Sequence, residues 1–528
     1  MSVALRIQGG HCLPDVTLPV ARRGLTIEVY FGGQLPPDIT MFNHHTPGEL
    51  ALPSRRRFLQ QTGHGLGSLA LATMLAEQSK AATATPAAAA GGELIGRTAH
   101  FPARAKAVIW LFMTGAPSQV DTFDYKPVLQ QRHGEVLPGS DSKTGFFTTS
   151  GKCLKSPFGF KQYGQSGSWV SDLFPHLSNH VDNMTFIHSM YLRANNHAPA
   201  SIELMCGSTV PGRPAAGAWA TYGLGTVNQN LPAYVVMHGQ KPRGDDQIWS
   251  AGFLPKTYGA LALDARRKEE IDNLVRGKDQ TDAQQRSVLD LLRDVNVDHA
   301  KSRPTQADLQ SRINSFELAY RMQSTAPEAI DIASETEATR TLYGIDHKDC
   351  GTFARQCLIA RRLVERGVRF VQIFAGRGAP ADGSVPDVPW DGHNNIEANH
   401  RSCAAATDQP AAALLADLKS RGLLDDTLVI WGGEFGRTSD SQGSAGRDHN
   451  PNGFTIWMAG GGVKGGYHHG MTDEFGYKAV DNKVHVNDLH ATILHLLGLD
   501  HEKLTYRYSG RDFRLTDVGG NVIREILA

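Results

Sequence analysis

Carboxylates and imidazoles recur along this 528-residue chain directly after apolar, β-rich runs. W-D-G-H supplies Asp391 and His393, G-G-E-F-G-R-T supplies Glu434 and Arg437, and G-R-D-H-N supplies Asp448 and His449. Nearer the start, Q-V-D-T-F-D holds Asp121 and Asp124, and R-A-N-N-H holds Asn195, Asn196 and His197. Carboxylate together with imidazole is the donor set by which Zn and other divalent-metal hydrolases hold an ion and activate water. A single D-x-H or R-D-H is ordinarily a hydrogen-bonded loop, but five such groups at five strand ends form the pattern of one site. Asp121, Asp391, His393, Glu434, Asp448 and His449 are the expected metal ligands, with Zn the expected ion and Ca or Mn as alternatives. His197 is expected to be catalytic, as a general acid, a further ligand or a nucleophile. The Arg437 guanidinium can grip a sulfate or phosphate oxygen or pair with a loop carboxylate.

The elements that must position these groups alternate. K-A-V-I-W-L-F-M (Lys106 to Met113) has the unbroken apolar character of a buried parallel strand and empties into the Gly-Pro loop T-G-A-P-S. A second strand, Met184 to Met190, leads through L-R-A-N-N-H into a helix from Pro199 to Met205, which puts His197 near a helix N-terminus, where anions are favoured. Residues 262–345 are charged and helix-forming, and read as an inserted helical segment. Helix Thr352 to Arg366, strand Val368 to Phe374, helix Pro410 to Arg421, strand Thr427 to Trp431, strand Phe454 to Met458 and helix Asn487 to Leu497 complete the alternation. The fold class is α/β: a mostly parallel central sheet with helices on both faces, whose ligands gather at the carboxyl ends of the strands. His469 is a reserve ligand, Asn487 or Asp488 an N-cap, and Trp390 and Trp431 core or pocket wall.

The 53 basic side chains balance the 53 acidic ones, so no global field draws the chain to nucleic acid or an anionic membrane. The six cysteines are scattered without a C-x-x-C pair and read as small buried apolar residues. S-R-R-R-F-L (54 to 59), followed by a Gly-, Ala- and Leu-rich run to Ala76, is a twin-arginine leader too short to span a membrane. Residues 1–95 are therefore expected to be an extension plus export signal, with Met41 as a natural start, and 96–528 the mature domain. The translocation machinery is then a partner, the destination is periplasmic or extracellular, and no permanent membrane span is expected. Export in a folded state suits a protein that takes up its metal in the cytoplasm.

The run T-L-V-I-W-G-G-E-F-G-R-T-S-D (427 to 440), with R-D-H-N, A-G-G-G-V-K-G-G and N-D-L-H-A-T-I-L-H-L-L-G-L-D after it, resembles a Tat-exported, sulfatase-like family of unknown function within the alkaline phosphatase superfamily. A-P-S-Q-V-D-T-F-D-Y-K-P and W-D-G-H-N-N carry the likeness too, which spans the chain from about residue 100 to its end. The resemblance implies an alkaline phosphatase/sulfatase-like fold and a secreted metal-dependent hydrolase acting on an anionic ester or sulfated glycan. Beside the sulfatase pattern C/S-x-P-x-R-x-x-L-L-T-G, the segment H-A-P-A-S-I-E-L-M-C-G (197 to 207) places His197 at the nucleophile and Ser201 at the arginine, so formylglycine chemistry is absent. G-E-F-G (433 to 436) is similar to S-D-H-G with Phe435 for the histidine, and Thr114 and Gly115 stand for the acidic pair after the first strand, with Asp121 seven residues on. Two functions follow: a hydrolase of sulfate or phosphate esters by water attack, or a catalytically silent envelope protein that grips anionic glycans.

Overall fold

Strand β1 (Ala107–Met113) is buried at every position. Its side chains sort by parity, as the pleat requires: Ile109, Leu111 and Met113 enter one core, Val108, Trp110 and Phe112 the other. A strand with two apolar faces needs covering on both, and this sets the layers. The computed structural model describes residues 94–528 except 95, 142–143, 240–241, 265–270, 272–273, 275–279, 302–306 and 376–388. The arginine motif, its apolar run and the extension before it lie outside the described residues.

Eight further strands join β1: β2 (Met184–Tyr191), β3 (Tyr234–His238), β4 (Leu261–Asp264), β5 (Phe370–Ala375), β6 (Thr427–Gly432), β7 (Phe454–Ala459), β8 (Tyr467–His469) and β9 (Val484–His485). The sheet runs β8-β2-β7-β6-β1-β5-β3-β4, with β9 also beside β2. Among the described residues β7 alone runs against its neighbours, β2 and β6; the other pairings are parallel. The β6–β7 connection, 433–453, therefore begins and ends at the carboxyl edge of the sheet, beside the loops that leave β1, β2 and β5.

Helices α1 (His197–Cys206), α2 (Ala216–Leu224) and α7 (Val486–Leu496) pack on the face of Val108, Trp110 and Phe112. On the opposite face lie α4 (Ala307–Ile330), α5 (Gly351–Glu365) and α6 (Ile396–Ser420). Helix α3 (Asp282–Lys301) packs against α4. This is the expected mostly parallel α/β sheet with helices on both faces. No helix among the described residues is long and apolar enough to cross a membrane.

Three local differences have physical causes. Helix α6 starts at Ile396, where the Asn395 side chain accepts from Ala398 N at 3.0 Å, and runs through Pro410. A proline inside a helix costs about 3 kcal/mol, and burial of Cys403, Ala411, Leu414, Leu415 and Leu418 in the core outweighs it. Helix α7 is capped by His485, whose ring accepts from Asn487 N while Asp488 Oδ2 accepts from His485 N, so Asp488 is the third helical residue of a capping box. Strands β3 and β4 are short segments the hydrophobic pattern does not set apart.

Candidate metal centre

Each functional side chain is delivered by a loop at the carboxyl edge. His197 opens α1 directly after the β2 loop; Asn196 caps the helix, accepting from Ala198 N at 3.3 Å. Glu203, one and a half turns along α1, steadies that loop by accepting from Arg193 N at 3.1 Å and Ala194 N at 3.2 Å. Asp391 and His393 lie between β5 and α6. Glu434, Arg437, Asp448 and His449 ride on the β6–β7 loop, where His449 pairs with Arg437 in a two-residue antiparallel ladder.

Four of the expected residues converge. His197, Asp391, His393 and His449 each offer one ligand atom, and these atoms lie within 4.8 Å of one another. Every imidazole turns Nε2 inward while Nδ1 is held from outside. His197 Nδ1 lies 2.6 Å from Glu434 Oε1, His449 Nδ1 2.7 Å from the Asn195 carbonyl, and His393 Nδ1 2.6 Å from Gln442 Oε1. With Nδ1–H donated outward, each Nε2 carries a lone pair toward Asp391 Oδ1, at 2.7 Å from His393, 3.1 Å from His197 and 3.6 Å from His449. The Nε2 atoms of His393 and His449 are 3.0 Å apart, and His197 Nε2 is buried without a hydrogen-bonding geometry to any acceptor. Lone pairs facing one another across such a gap repel unless a proton or a cation lies between them. Ligand atoms at Zn distances stand about 3.3 Å apart around a tetrahedral ion, so the residues present fit a divalent metal.

The charges agree with this. Burial would raise the Asp391 carboxyl, but the imidazoles of His197, His393 and His449 beside it and the charge of Arg437 hold it well below the usual carboxylate range. Burial and the neighbouring Arg437 and His197 push His449 down to about 3, so it stays a neutral donor. Burial alone would lower His197; the Asp391 and Glu434 oxygens on either side overcome it and raise the ring.

The remaining expected residues take other places. Glu434 is one layer out, bonded to His197 and accepting from Gly115 N at 3.1 Å. Gly115 can bring its amide there because its φ is +94° and a Cβ would stand 2.8 Å from Trp390 N. Asp448, expected as a ligand, instead accepts from Phe147 N at 2.5 Å and from His449 N at 2.8 Å. Asp121 is not folded back to the centre: the short helical turn Gln119–Thr122 commits it to Arg447, at 2.6 Å and 3.2 Å, an ion pair buried at both ends. Arg437, expected either to grip substrate or to pair with a loop carboxylate, does the second: it is fully buried and donates to the carbonyls of Gly115 and Ala116 and to Asp391 at 2.7 Å. Phe435 packs on the imidazoles, 5.0 Å from the His197 ring and 4.6 Å from that of His449. Gln442 was not anticipated; its only signal is its place between the motifs of Arg437 and Asp448.

A family described as "Protein of unknown function (DUF1501)" matches residues 105–527. No curated protein matches. Among solved structures the chain is similar to the lipoteichoic acid synthase LtaP from Listeria monocytogenes, at 10% identity and a TM-score of 0.31, covering 79% of this chain and 76% of that one. It is similar to the PsFucS1 sulfatase from Pseudoalteromonas sp. at 14% identity and a TM-score of 0.34, covering 76% and 69%. It is also similar to the alkaline phosphatase of the Antarctic bacterium TAB5 at 11% identity and a TM-score of 0.32, covering 75% and 99%.

Proposed function

The chain belongs to the family described as protein of unknown function (DUF1501), and for this member we propose a metal-dependent hydrolase of sulfate or phosphate esters. What carries the reading is the three imidazoles, each with Nε2 turned to a common centre and Nδ1 held by an oxygen, around one carboxylate. Two nitrogens and one oxygen, from His393, His449 and Asp391, suit Zn; Ca prefers six to eight oxygens. When bound, such an ion lowers the pKa of water toward 7 and offsets charge on the ester.

The protein's own groups do the rest. Arg437 fixes Asp391 and balances its charge. Glu434 holds the His197 ring so that Nε2 faces the centre, where the ring in its protonated form is in position to give the Nε2 proton to the leaving oxygen, and Phe435 packs against that ring. A second reading has one observation in its favour: with His197 as a fourth ligand the donor set is complete, as in closed structural zinc sites. The protein would then be a silent binding protein for anionic glycans.

One set of variants separates the two. Wild type purified without chelator is expected to hold about one divalent ion per chain and to hydrolyse members of a panel of aryl sulfates and phosphates, with Asp391→Ala emptying the site and lowering Tm. His197→Ala is expected to keep the ion and to lose roughly a hundredfold in turnover. Loss of metal in His197→Ala supports the closed site, and metal-free wild type overturns both. We further propose that 96–528 is exported behind the Arg55-Arg56 pair, so that Arg55→Lys with Arg56→Lys leaves unprocessed protein in the cytoplasm.

A further inference from the structure

Beside the centre, residues 144–151 form a strap that is pinned at several points. Asn195 Nδ2 donates to Gly145 O at 3.0 Å, Phe147 N to Asp448 at 2.5 Å, and Ser150 N to Ser441 O at 2.8 Å. Gly145 is pressed against the same carboxylate: a Cβ there would stand 2.1 Å from Asp448 Oδ2. The strap carries Phe146 and Phe147, packed edge to face at 5.0 Å and 84°. The Phe147 ring is 5.1 Å from that of His393 and the Phe146 ring 5.8 Å from that of His449, yet Phe147 and Phe146 remain 48% and 50% exposed. A lone exposed phenylalanine needs no explanation, whereas two held rigidly over a polar cluster mark a binding surface. Arg243 stands on the same cluster, its Nη2 3.4 Å from Asp391 Oδ2, with its side chain 62% exposed.

We infer that Phe146 and Phe147 form a ring-binding subsite, with Arg243 as its anion-gripping partner, for an ester whose sulfate or phosphate is borne on a six-membered ring. The proposal rests on the hydrolase reading and names its substrate class. Guanidinium and metal take the charged oxygens, and the phenylalanine rings take the face of an aryl group or the apolar face of a pyranose.

The test is calorimetric titration of the metal-loaded protein with methylphosphonate, phenylphosphonate and a pyranosyl phosphonate, none of which is hydrolysed. Wild type is expected to bind at least one ring-bearing ligand about tenfold more tightly than methylphosphonate, and the tighter of the two identifies the ring as aryl or sugar. Phe146→Ala with Phe147→Ala should bring the affinities together at unchanged metal content; both rings are half exposed, so the fold loses little. Gly145→Ala, which unseats the strap with both rings present, should do the same, and Arg243→Ala should weaken all three ligands alike. Equal affinities in wild type, no binding at all, or a preference that survives in the double variant overturns the subsite. A ring preference in a protein that turns over no ester would leave the subsite standing and remove the hydrolase.

Discussion

At His449 the direction of one side chain decides the chemistry. Asp448 directly precedes the two-residue strand that His449 opens, and their side chains part: the imidazole goes to the centre and the carboxylate to Phe147 N. Sequence alone could name both and could not divide them, since the partner that takes the carboxylate lies 301 residues away. The same holds for Asp121, whose commitment to Arg447 crosses 326 residues and leaves no local trace. His197, Asp391 and His393 were legible because each directly follows an apolar run or its loop. Two carboxylates can be told apart by mutation. Glu434→Gln, which weakens the acceptor behind His197, should cut metal affinity about tenfold to a hundredfold if that ring is a ligand and otherwise depress turnover with the ion retained. Asp448→Asn should leave metal content near wild type and loosen the strap. Loss of metal in Asp448→Asn, measured by elemental analysis, would return that carboxylate to the ligand set.

Loops at the carboxyl edge meet with little clearance, and this is where elements depend on glycine. Gly446 lies against the His393 peptide, with a hypothetical Cβ 1.7 Å from His393 O. Ile396 N donates to Ala445 O and Arg447 N to Gly392 O, so the β6–β7 loop and the loop before α6 are laced together at this point. Gly446→Ala must move the His393 backbone; it should cost about 1–3 kcal/mol of stability and weaken metal binding in parallel. A variant with wild-type denaturation midpoint and metal affinity would show that the lacing is not needed. The largely apolar runs of β1, β2, β5, β6 and β7 were readable because strands covered on both faces, whichever way they run, are mostly apolar. Helix α6 was read too short because a proline is a strong local stop, and only tertiary burial overrides it. Strands β3 and β4, at five and four residues, are too short to be told from turn flanks.

Across the molecule, several histidines are held neutral by burial far from solvent. His188 is lowered to about 4 by burial, with His468 and Lys126 adding to the effect and Asp124 opposing it. Burial lowers His490 to about 4 and His400 to about 3. Each folded value lies below the unfolded value near 6.5, so between about pH 6.5 and pH 4 the unfolded chain binds protons that the folded chain refuses. Stability should therefore be complete above that window and fall as pH drops through it, by several kcal/mol in all at about 1.4 kcal/mol per pKa unit. Urea midpoints at pH 7 and pH 4.5 check this, and a His188→Gln variant should show a shallower decline. Equal midpoints at the two pH values would mean these rings are protonated in the fold.

The reversed strand β7 also sets an order of assembly. Its loop closes over short spans, with Arg437 and Arg447 only 10 residues apart, whereas Gly115 must meet Glu434 across 319. By loop-closure entropy the long contact is about 3 kcal/mol harder to make than the short one. The part of the centre carried by the β6–β7 hairpin can thus form while the rest of the chain is still searching, and β1 and α1 arrive last. An ion bound by His197 on α1 together with His449, Asp391 and His393 would then work as a latch, slowing the reopening of a contact that took long to find.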